Sequence, residues 1–132
     1  MRLPAQLIQQ IVRHPVVRFS GPGRQRALGR IPLNGPATIF PVQGDFLGDP
    51  ISVTLCDLSA ETIGLSTPDA LMPFSSLIVS IPLPDSQPLA IRCRVMRCTR
   101  RQDGQFALAA QFVAFVDSQT LCSTPPWPSP AT

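Results

Sequence analysis

The chain has no lysine and no tyrosine, and only one histidine and one tryptophan among its 132 residues. Each scarcity narrows the chemistry. The lone histidine, His14, stands before Pro15 near the N-terminus and far in sequence from any serine or cysteine in a nucleophile-elbow setting, which argues against triad or dyad catalysis. Carboxylates are few and isolated, so no pair suggests glycoside or metal-assisted hydrolysis. Cysteines stand at 56, 93, 98 and 122 without a CxxC pair, and a zinc site with only His14 as companion is disfavoured. GPGRQRALG matches neither the Walker nor the Rossmann spacing. No apolar run reaches a membrane-spanning length, and MRLPAQLIQQIVRHPVV is too interrupted by Gln9, Gln10, Arg13 and His14 for a secretory signal. A non-enzymatic protein of the cytoplasm, with reduced thiols, is the expectation.

Hydrophobic residues make up 44% of the chain and charged residues only 14%, so a sizeable core lies under a surface rich in Ser, Thr, Gln and Pro. Sixteen prolines oppose long helices and favour short strands joined by turns. All 11 basic residues are arginine, with net charge +3. Arginine grips phosphate and guanine edges with a planar fork. The net charge is modest for a non-specific nucleic-acid binder, and a small anionic ligand or an acidic partner surface fits better.

Leu3, Leu7, Ile8, Ile11 and Val12 recur at helical spacing, which predicts a short amphipathic helix over residues 4–13. Docking on the domain or on a partner is expected of it rather than a membrane-surface role. A Gly/Pro/Arg linker follows, and residues 1–23 read as a helix and flexible arm. From Ile31 the period becomes two: Ala37 and Ile39, then Ile51, Val53 and Leu55, then Ile63 and Leu65 share faces. Leu77–Leu83 is a buried-type run, and Ile91, Cys93 and Val95 alternate with Arg92, Arg94 and Met96. Asp103-Gly104 is a hairpin signal before Phe106, Leu108, Ala110 and Phe112. Six short strands over residues 24–118 suggest a small antiparallel barrel or sandwich. Residues 119–132 form a Pro-rich tail expected to be disordered.

Two elements are left for a site. Arg24, Arg26 and Arg30 lie in the linker, and CDLSAETIGL interrupts an apolar strand pattern with Asp57, Ser59 and Glu61. A turn held by side-chain-to-backbone bonds is the plain reading of Asp57 and Ser59. The sharper one is half of a guanine-nucleotide site, since a carboxylate accepts from guanine N1–H and its amine while arginines take phosphate or O6/N7.

In their order these residues resemble the PilZ domains, which bind the bacterial second messenger cyclic di-GMP. In that family an R-x-x-x-R segment precedes a six-stranded antiparallel barrel carrying [D/N]-x-S-x-x-G. RALGRIP offers Arg26 and Arg30, and DLSAETIGL offers Asp57 and Ser59 followed by Ile63, Gly64 and Leu65. SSLIVSIPLP, IRCRVMRC and ALAAQFVAF match later strands, so that the resemblance runs from about Arg24 to Phe115. It implies a mainly all-β fold, a six-stranded PilZ-like barrel with a short N-terminal helix added. It also implies a cyclic di-GMP site at Arg26, Arg30, Asp57, Ser59, position 62 and Gly64, with Arg24 assisting, and no cofactor or metal. Thr62 stands where the motif has glycine. If that position required positive φ, a β-branched residue would cost about 1–2 kcal/mol there.

Three functions follow as expectations. The first is a cyclic di-GMP receptor whose arginine arm orders on binding and whose reshaped surface engages a motility, pilus or exopolysaccharide component. The second is a PilZ-like adaptor that has lost the nucleotide through Thr62 and acts by protein contact. The third, a small Arg-rich barrel binding single-stranded nucleic acid, is disfavoured by the lack of stacking aromatics among the arginines. Arg92, Arg94, Arg97, Arg100 and Arg101 form a second basic row, read either as the wet face of a strand or as a surface for an acidic partner.

Overall fold

The computed structural model describes residues 1–13, 18–19, 31–44, 46–84 and 87–116. Among these residues a helix, α1 (Ala5–Val12), precedes eight strands: β1 (Arg18–Phe19), β2 (Ile31–Gln43), β3 (Phe46–Leu47), β4 (Ile51–Leu58), β5 (Thr62–Thr67), β6 (Ser76–Ile81), β7 (Leu89–Arg100) and β8 (Phe106–Val116). Six of them follow the order β2-β4-β5-β8-β7-β6, and β6 pairs back onto β2, closing an antiparallel barrel. The short strands β1 and β3 pair with opposite ends of β2. Closure removes the free edges that an open sheet of such apolar strands would expose.

Period-two alternation puts one face of every barrel strand inside. Ile39, Leu55, Leu65, Val79, Ile91, Val95 and Phe112 are all fully or almost fully buried in one core cluster. Cys93 lies among them, where burial pushes its thiol up to about 12. The expected inward cysteine is therefore a small core hydrophobe.

The N-terminal helix docks on this core, as its apolar spacing suggested. Leu3 and Ile11 join the core cluster, and Leu7, Ile8 and Val12 pack against it. The segment also grips the β4–β5 turn. Leu3 N–H donates to the Ala60 carbonyl at 2.6 Å, and Arg2 pairs with Glu61 at 3.6 Å across an exposed gap. From the other side, Phe112 N–H donates to the Glu61 carbonyl at 2.9 Å.

Two irregularities set which way key side chains point. Along β4 the buried residues are Val53, Leu55 and then Leu58, a step of three in a period-two strand. The register shifts between Leu55 and Asp57, so Cys56 is the extra residue of a bulge. Without it Asp57 would follow Val53 and Leu55 into the core; with it Asp57 stays at the surface and Leu58 turns in. A second bulge, between Val95 and Arg97 on β7, leaves Met96 and Arg97 both outward. The β7–β8 hairpin turns at the expected Asp103-Gly104. Gly104 has φ +89°, and Arg101 N–H donates to Gln105 O at 2.7 Å.

Candidate ligand groove

The outward faces of β4, β5, β8 and β7 carry one continuous row: Asp57 opposite Gly64, Gly64 opposite Ala109, and Ala109 opposite Arg97. In the neighbouring row, Ser66 faces Ala107 and Ala107 faces Thr99. Glycine and alanine make a low floor, with a carboxylate on one bank and guanidinium groups on the other. The result is a groove of about 510 Å³ bounded by Cys56, Asp57, Arg97, Thr99 and Arg101, with Gly64, Ala107 and Ala109 along its bottom.

Gly64 makes room for this arrangement, since any side chain there would force the Asp57 carboxylate to swing aside. A β-carbon there would lie 2.7 Å from Asp57 Cγ and 2.8 Å from Oδ1. The Asp57 carboxylate thus folds across the glycine, close to the strand backbone. No hydrogen bond or ion pair from a described residue occupies that carboxylate, so its oxygens are available to a donor in the groove. Opposite, Arg101 donates to Ser66 Oγ at 3.2 Å and pairs with Asp103 at 3.2 Å, which holds it at the rim. Arg97 has no carboxylate partner among the described residues. Burial pushes the Cys56 thiol up, the Arg101 charge opposing this and the Asp57 charge adding to it. A thiol held neutral in this way is a poor nucleophile.

Ser59 and Thr62 form a self-contained turn beside the groove. Thr62 N–H donates to Ser59 Oγ at 3.0 Å, the two hydroxyl oxygens are 2.8 Å apart, and Ser59 N–H donates to Thr62 O at 2.9 Å. Thr62 opens β5 with ordinary negative φ, since Phe74 is the one non-glycine residue with positive φ among the described residues. The strain considered for a threonine at the motif glycine is therefore absent. What Thr62 does instead is engage the Ser59 hydroxyl.

Asp57, Ser59, Thr62 and Gly64 are thus brought together at one end of β4 and β5. Arg24, Arg26 and Arg30 lie outside the described residues. Arg97 and Arg101, which the sequence pattern assigns to the basic row rather than to the site, line the groove as well. A signal for them existed: the Asp103-Gly104 hairpin sets Arg97 opposite a small outward residue, Ala109. Among the described residues no cluster of three or more His, Cys, Asp and Glu side chains could hold a metal, and no helix is long and apolar enough to cross a membrane.

The chain is thus a closed antiparallel barrel with a carboxylate-and-arginine groove on its outer wall. The chain belongs to the PilZ domain family, whose model matches residues 24–121. Among solved structures it is similar to the Bacillus subtilis inhibitor of motility (MotI/DgrA), with a TM-score of 0.54 and 15% identity. That likeness covers 70% of this chain but only 44% of the other, and it shows the shared fold. No curated protein matches the chain.

Proposed function

We propose that this chain is a non-catalytic receptor domain for cyclic di-GMP. The observation that carries the reading is the Asp57 carboxylate folded over Gly64 at the edge of a flat Gly/Ala floor, with Arg97 and Arg101 across from it. A purine can lie on a floor without β-branched side chains, its N1–H and amine donating to Asp57 while phosphate meets guanidinium groups. The arm around Arg24, Arg26 and Arg30 supplies further forks. It closes over ligand and barrel on binding, and the surface so formed signals to a motility, pilus or exopolysaccharide component.

A second reading has its own support. Thr62 holds the Ser59 hydroxyl at 2.8 Å, so a ligand must displace that bond to use the serine. This favours an adaptor that has given up the nucleotide and acts through protein contacts alone.

Isothermal calorimetry with cyclic di-GMP separates the two. The receptor reading expects binding to the wild-type chain, loss in Arg26→Ala/Arg30→Ala, and about tenfold tighter binding in Thr62→Gly, equivalent to ~1.4 kcal/mol. Heat from Thr62→Gly but none from wild type establishes the adaptor instead.

A further inference from the structure

Away from the groove, the β5–β6 loop and the outer face of β7 carry a second surface. Phe74 stands in this loop at φ +68°, a conformation that bulky side chains avoid, yet its ring is 64% exposed. Nothing in the core requires the ring there. The loop is nonetheless fixed to β7: Phe74 N–H donates to Val95 O at 2.7 Å, and Val95 N–H donates to Ser75 O at 2.9 Å. Met72 on the same loop is 74% exposed, and Met96, next to the anchoring Val95, is also exposed. Rigid backbone thus presents adaptable apolar side chains outward.

Charge of one sign accompanies them. The Arg94 guanidinium lies 5.1 Å from the centroid of the Phe74 ring, and Arg92 is the next outward residue along β7. Neither has a carboxylate partner among the described residues. A guanidinium stacked on a ring has one face covered and its N–H edge free, the orientation in which it takes a carboxylate in two parallel bonds. Two outward arginines two positions apart on a strand are about 7 Å from one another. That spacing suits a pair of carboxylates on one short segment.

We propose that this surface docks an acidic segment of a protein partner, with an apolar side chain seated among Phe74, Met72 and Met96 and flanking carboxylates on Arg92 and Arg94. An aromatic on an anchored loop, an arginine stacked on it and two exposed methionines nearby in sequence have the composition of an interface hot spot. Polyphosphate backbones would answer the arginines but leave the apolar side chains uncovered. The surface uses none of the groove residues, so this proposal stands or falls apart from the nucleotide reading.

The test is selection of short displayed peptides against the full chain, followed by affinity measurement on the enriched sequences. The expected result is enrichment of Asp and Glu around a Leu, Phe or Trp. About tenfold or greater weakening is expected in both Arg94→Gln and Phe74→Gly, and Gly64→Val should bind as wild type does. Phe74→Gly suits the loop's φ, so its folding is not in question, and an unchanged melting temperature in Arg94→Gln guards the other variant. Three results overturn the proposal. Peptides are not enriched, or are enriched without acidic residues; binding is indifferent to both substitutions; or Phe74 and Arg94 are needed instead for attachment to oligo-dT or to phosphatidylglycerol vesicles.

Discussion

The groove over Gly64 and the surface around Phe74 both draw arginine from β7, yet they are built in opposite ways. In the groove, side chains are pared back to glycine and alanine so that a ligand can approach the sheet, and the turn alongside satisfies its own hydrogen bonds. Around Phe74, side chains are pushed forward, and a loop holds an unfavourable backbone angle to do so. Subtraction suits a flat aromatic ligand whose recognition comes from edges and charges. Addition suits a macromolecular partner, where protruding rings and methionines supply buried area. The position of strain tells them apart: the groove has none at Thr62, whereas the protruding surface does at Phe74.

The sharpest way to break the comparison is Gly64→Val, which drives a β-carbon into the space of the Asp57 carboxylate. Cyclic di-GMP affinity should fall more than about 100-fold, ~2.7 kcal/mol by calorimetry. Peptide affinity at Phe74 should not change. Next in size is Arg97→Ala. Losing one charge-assisted bond to the ligand should cost about 1.5–3 kcal/mol of binding, with melting temperature nearly constant because Arg97 is exposed and has no carboxylate partner among the described residues.

Titration contrasts the thiols beneath and beside the two surfaces. Cys93, under the arginine row, has its value raised from 9.0 to about 12, so the folded protein keeps a proton that the unfolded chain releases. Stability is unaffected by this group below pH 9 and falls as pH rises from 9 towards 12, at up to about 1.4 kcal/mol per pH unit. Chemical denaturation across that range should show the decline flattened in Cys93→Ala. Cys56→Ala should flatten it less, because Cys56 is only half-buried and Arg101 opposes its shift.

The smallest effect is the most diagnostic. Phe74→Gly removes about 1–2 kcal/mol of backbone strain and about 0.5–1 kcal/mol of cation–π attraction. Stability by urea denaturation should stay level or rise by ~0.5 kcal/mol. A loss beyond ~1 kcal/mol would mark the ring as a structural prop.

Much of the barrel was legible because its signals are local. Alternation at Ile51, Val53 and Leu55, the inward Cys93, the Asp103-Gly104 turn and the helical spacing of Leu3, Leu7 and Ile11 each depend on neighbours a few residues away. The site was legible in part: Asp57, Ser59 and Gly64 fall on one motif, but the β7–β8 hairpin carrying Arg97 and Arg101 reaches it through the register of β8 on β5, a long-range pairing. The bulge at Cys56 was written in the step from Leu55 to Leu58, where period two breaks, although an interrupted strand first suggests only a turn. Thr62 misleads for a different reason. A family glycine invites a positive φ, while here the chain is extended and the threonine hydroxyl finds Ser59. Nothing in Pro73-Phe74-Ser75 announces a left-handed phenylalanine; the angle is imposed by the backbone bonds to Val95.

The clamp on the β4–β5 turn has a spectroscopic consequence. The carbonyls of Ala60 and Glu61 accept from the amides of Leu3 and Phe112, groups that belong to the N-terminus and to the last barrel strand. Deuterium uptake at those two amides is therefore a remote gauge of whether the turn is still or in motion. Any ligand that quiets the turn should slow exchange at Leu3 and Phe112 together. A ligand that pries Thr62 from Ser59 should speed both.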